Sequence, residues 1–72
     1  MNDFATRLKE LRKEKGLTQK QLAEQTEMSE RGIQNYELGE RKPAFDVLIA
    51  LADYFDVSLD YLCGRSDVKE RR

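Results

Sequence analysis

Four side chains able to read base edges fall within six residues: Glu30, Arg31, Gln34 and Asn35. On a helix that starts after Ser29 they share one side with Leu38, while Ile33, Tyr36 and Glu37 take the other. Arginine forks onto guanine O6 and N7, asparagine or glutamine pairs with adenine N6 and N7, and glutamate accepts from cytosine N4. One good bidentate pair discriminates by about 1–3 kcal/mol. The same residues also fit an ordinary solvated helix face, with Glu27 and Arg31 as a weak i,i+4 pair. Ser29 is placed to cap that helix, and its hydroxyl is a candidate donor to phosphate. Arg41 and Lys42 are the next basic residues along the chain, suited to phosphate or to a solvated loop.

Other chemistry finds less support. There is no histidine to serve as a general base near neutral pH. Cys63, the one cysteine, has no partner for an internal disulfide, a Cys/His zinc site or a nucleophilic pair, and reads as a packed thiol. Asp53, Asp56 and Asp60 lack the spacing of a calcium loop and read as a solvated acidic face. No glycine-rich phosphate loop is present. No catalysis, metal, cofactor or small-molecule ligand is therefore expected.

The elements that must position these residues belong to a 72-residue chain. A chain near this size buries only about 60% of its unfolded surface, so its stability rests on well-packed helices and self-association. Apolar content of 39% beside 38% charged residues marks a folded, soluble mixture. The longest apolar run, Val47 to Ala52, is far short of a membrane span. Met1-Asn2-Asp3 opens without a basic-then-apolar signal, and a cytosolic location with Cys63 reduced is expected. Net charge is −1, unevenly spread. Residues 1–45 carry +1, residues 46–64 carry −4 and residues 65–72 carry +2, so the chain lacks the strong basicity common in nucleic-acid binders.

Apolar spacing and punctuation give five helices and an all-α fold. Phe4, Leu8 and Leu11 form a first stripe that runs to Lys15 and ends at Gly16. Thr18-Gln19-Lys20-Gln21 is a capping box opening a helix over about 18–25, with Leu22 and Ala23 inward. Ser29 opens the third over about 29–37, ended by Gly39. Pro43 suits the start of a fourth, whose face of Phe45, Leu48, Leu51, Ala52 and Phe55 is widened by Val47 and Ile49 almost to full burial. Ser58 caps a short fifth helix with Leu59 and Leu62. The expected division is a domain over residues 1–64 and a frayed polar tail over 65–72.

Thr26-Glu27-Met28 joins the second and third helices as a short turn, the arrangement of a helix-turn-helix unit. Leu17-Thr18-Gln19-x-x-Leu22-Ala23, Met28-Ser29-x-x-x-Ile33, Tyr36-Glu37-x-Gly39 and Pro43 follow in order. So do Leu48-x-x-Leu51-Ala52, Phe55-Asp56-Val57-Ser58 and Asp60-Tyr61-Leu62. This string, over about residues 4–64, resembles the phage repressor and Cro-like (xenobiotic-response-element type) helix-turn-helix family. The resemblance implies a lambda-repressor-like DNA-binding domain of five helices. Inside this motif Glu30, Arg31, Gln34 and Asn35 are expected on bases, and the family's matching glutamine puts Gln19 at the DNA backbone, where Ser29, Arg41 and Lys42 are further candidates. The resemblance also makes Arg12 and Glu37 a structural ion pair tying the first helix to the third. Glu27 stands where the family usually has glycine, so either it takes a left-handed conformation under strain of about 1 kcal/mol or the turn is built differently. Leu38 and Glu40 stand where polar or basic groups are common, and Glu40 would weaken phosphate binding.

The function so implied is a sequence-specific DNA-binding transcriptional regulator, expected to repress, with the third helix in the major groove of double-stranded DNA. A homodimer on a two-fold operator is expected. Its face is placed at residues 57–62, because Val57, Leu59, Tyr61 and Leu62 offer more apolar surface than so short a helix buries. A protein-interaction module, antitoxin- or adaptor-like, stays open beside it on the acidic 46–64 segment and a pI near 5.4. In that module partner binding dominates and DNA binding is secondary.

Overall fold

A computed structural model of the protein describes residues 3–70. Met1, Asn2, Arg71 and Arg72, the extremities of the expected domain and tail, lie outside the described residues. Five helices follow in order: α1 (Phe4–Glu14), α2 (Gln19–Thr26), α3 (Glu30–Glu37), α4 (Phe45–Phe55) and α5 (Leu59–Leu62). Among the described residues there is no strand.

The helices start where short polar side chains take over free backbone donors. The Asp3 carboxylate accepts from the Thr6 amide, and this bond holds its pKa below the usual carboxylate value. Thr18 and Gln21 close a reciprocal capping box at 3.0 and 2.9 Å. Ser29 and Ser58 accept from Gly32 and Tyr61. Only α4 starts without a side-chain cap, at Ala44 after Pro43.

The five most deeply buried large side chains, Leu8, Leu22, Ile33, Leu51 and Leu62, come one from each helix. All five helices thus share one core. Ala23 is buried on α2, which packs against α3, and α1 backs α3. Phe4 and Tyr36 close that second contact edge to face, 5.8 Å between centroids.

Two expectations about burial change. Phe45, read as core, is 69% exposed, and Ile49 is exposed as well. The apolar face of α4 is wider than the surface its neighbours cover, so its first turn overhangs. Conversely Val57, Tyr61 and Leu62, read as a free face, lie inside the core. They pack in the cluster shared by the helices. Residues 66–69 lie against the same end of the domain. The Ser58 amide and hydroxyl donate to the carbonyls of Lys69 and Val68 at 2.8 and 3.0 Å. Lys69 pairs with Glu14 on α1.

Candidate nucleic-acid interface

Base-reading residues need a helix that is rigid yet presents one polar side to solvent. On α3 the rigidity comes from Ile33, which is fully buried, and from the helix behind it. Glu30 and Arg31 are exposed, while Gln34 and Asn35 are half-buried. All four keep solvent-accessible side chains on α3 while Ile33 is buried. Leu38 follows as the helix C-cap, still in helical conformation (φ −81°, ψ −8°), and stands 68% exposed.

The turn before α3 is set by Glu27, whose φ of 58° and ψ of 35° are left-handed, the first of the two ways open to it. Its amide donates to Ala23 and that of Met28 to the same carbonyl, which turns the chain sharply into Ser29. The Ser29 oxygen is occupied as an acceptor by Gly32, leaving its hydroxyl proton free to donate outward. Gly32 shapes this cap: a Cβ there would meet Ser29 Oγ at 3.0 Å. A glycine within a helix pattern was its one sequence signal. Beyond Gly39 (φ +75°) the loop leaves Glu40, Arg41 and Lys42 exposed.

Arg12 and Glu37 form a bidentate pair, Nε to Oε2 at 2.6 Å and Nη2 to Oε1 at 3.0 Å. The Glu37 side chain is 3% exposed and that of Arg12 12%. Hydrogen bonding to Glu37 outweighs desolvation and raises the Arg12 pKa further above its ordinary value. The pair has two more members. Arg12 Nη1 donates to the Leu17 carbonyl at 2.7 Å, and Gln19 Nε2 donates to Glu37 Oε1 at 3.1 Å. One carboxylate therefore fixes the end of α1, the start of α2 and the end of α3. Gln19 keeps a second N–H and its carbonyl for an outside partner.

The helix-turn-helix family model matches residues 8–62, which takes in every one of these groups. The chain belongs to the helix-turn-helix family. It is 40% identical over 65 residues to the HTH-type transcriptional regulator ImmR of Bacillus subtilis, covering 90% of this chain and 51% of ImmR. It is 39% identical over 59 residues to the cryptic phage CTXphi transcriptional repressor RstR of Vibrio cholerae, covering 82% and 53%. The chain thus spans about half the length of these relatives. A transcriptional regulator from Listeria innocua has a similar solved structure, with a TM-score of 0.78 at 44% identity over 85% of this chain and 57% of that one. The restriction-modification controller protein C.AhdI of Aeromonas hydrophila follows at 0.75 and 32%, over 82% and 89%.

Against the family pattern, one buried group was missed by the sequence reading. Arg7 is 2% exposed, with its guanidinium 3.9 Å from the Tyr61 ring centroid. It donates to the carbonyls of Tyr61 and Ser66 and to Asp67. With Ser58 and Glu14 it joins residues 66–69 to the domain. Its place one turn before Leu11 on the apolar stripe was the available signal. Burial, with Asp60 nearby, raises the Cys63 pKa, as suits a packed thiol. Among the described residues no group of His, Cys, Asp and Glu is arranged to hold a metal, and no helix is long and apolar enough to cross a membrane.

Proposed function

We propose that this domain is a sequence-specific DNA-binding transcriptional regulator, most simply a repressor. In this reading α3 enters the major groove and α2 lies across the backbone. Glu30, Arg31, Gln34 and Asn35 contact bases. Gln19, Ser29, Arg41 and Lys42 contact phosphates, Gln19 with the amide hydrogen that Glu37 leaves free. The observation that carries the reading is the polar outward side of α3 on a helix clamped from behind by Arg12 and Glu37. ImmR and RstR, named as a regulator and a repressor, support it.

The working form is a homodimer on a two-fold operator. With Val57, Tyr61 and Leu62 in the core, its face comes down to Leu59 and Val68, exposed apolar residues lining one shallow groove. Sedimentation at tens of micromolar, with and without DNA, tests it; an 8.4 kDa species alone in both conditions excludes the dimer. Selection from a random duplex pool tests the function itself. The expected yield is a motif of inverted half-sites about 10 base pairs apart. No enrichment transfers the assignment to the protein-interaction module, for which exposed Phe45 and Ile49, one turn apart on α4, are the available surface.

A further inference from the structure

Leu38 lies seven residues after Arg31 and four after Gln34, so it stands on the same side of α3 as both. Its helical φ and ψ continue that succession through the cap. The other large apolar side chains of α2, α3 and their turn, namely Leu22, Met28, Ile33 and Tyr36, are buried or packed against the core. Leu38 is instead an exposed branched aliphatic group within a polar, base-facing surface. Base edges in the major groove present donors and acceptors, and thymine alone adds an apolar group, its 5-methyl. We propose that Leu38 is a specificity-determining residue that reads a thymine methyl. This rests on the placement of α3 in the groove proposed above.

The helix rises 1.5 Å per residue, which sets Leu38 about 10 Å beyond Arg31 along the axis. One methyl group removed from apolar contact corresponds to about a fourfold loss of affinity. The chemistry differs in kind from hydrogen-bond readout, since deoxyuridine keeps every donor and acceptor of thymidine and lacks only the methyl.

The experiment replaces each thymine of the selected operator, one at a time, by deoxyuridine, and titrates wild type, Leu38→Ala and Leu38→Met. Wild type should lose about fourfold at one position per half-site. Leu38→Ala should bind the unmodified operator about fourfold more weakly and be indifferent to uracil there, while Leu38→Met keeps the penalty. Exposure of the site leaves the melting of both variants near that of wild type. A wild type that binds its operator but tolerates every uracil overturns the proposal and leaves the DNA reading standing. A uracil penalty that survives in Leu38→Ala overturns it too. A wild type that binds no DNA removes both.

Discussion

The Arg12–Glu37 pair offers the sharpest energetic test of the scaffold behind α3. Replacing Arg12 by Met keeps most of the side-chain volume and deletes the charge. It strands a carboxylate that is 3% exposed, with only the Gln19 amide left as a donor, and removes the Leu17 carbonyl's bond. Breaking one side of a buried pair costs about 3–5 kcal/mol. A chain of this length has about 4–11 kcal/mol in total, so Arg12→Met should sit near the edge of folding. Glu37→Leu should cost less, because the Arg12 head retains Leu17 and some access to water. The double variant should cost less than the sum of the two, with a coupling of about 1–3 kcal/mol. Urea unfolding followed by far-ultraviolet circular dichroism measures all four proteins. Additivity within about 0.5 kcal/mol would refute the reasoning, since two independent charges would then be all that the contact amounts to.

Arg7→Met should cost about 1.5–3 kcal/mol, the range for hydrogen bonds to a charged group, and should speed hydrogen exchange at the Ser58 amide that the tail protects. Asp67→Asn, at a side chain 95% exposed, should stay within about 0.5 kcal/mol of wild type by the same unfolding assay. Glu27→Gly should stabilise by about 0.5–1 kcal/mol, because it relieves a left-handed residue at some cost in chain entropy; a lower melting temperature would count against strain at the turn. Cys63 should react with iodoacetamide more slowly than a free thiol at mildly alkaline pH, because a raised pKa leaves less thiolate at any given pH. Reaction at the free rate would contradict its burial.

Local chemistry was what the sequence showed best. Thr18, Ser29 and Ser58 cap within three residues of themselves, so their helices start where the polar side chains stand. The glycine position of the motif left two ways to build the turn at Glu27, and the structure takes the left-handed one. The Arg12–Glu37 pair came through the family pattern and proved bidentate, but the third member, Gln19, did not. Its bond joins the start of one helix to the end of another and has no sequence period. Arg7 stood on the apolar stripe, but its partners Ser66 and Asp67 lie about sixty residues away and carry no sequence period to reveal them. Composition is silent on the contacts of residues 66–69, because backbone carbonyls at Ser66, Val68 and Lys69 make them rather than apolar side chains. Once the tail closes and α1 packs beside α5, Val57, Tyr61 and Leu62 have no surface left for a partner.

The central claim is that the outward side of α3 reads bases while the loop after it holds phosphates. The most direct measurement is titration of Arg31→Ala and Arg41→Ala against the selected operator and its single-base variants at several salt concentrations. Arg31→Ala should lose about 1–3 kcal/mol and relax preference at one base pair only. Arg41→Ala should weaken every sequence alike and lower the salt slope by about one. Glu30 and Glu40 beside these cations should keep the wild-type slope shallow for a DNA binder. An Arg31→Ala protein with unchanged base preference would contradict the account.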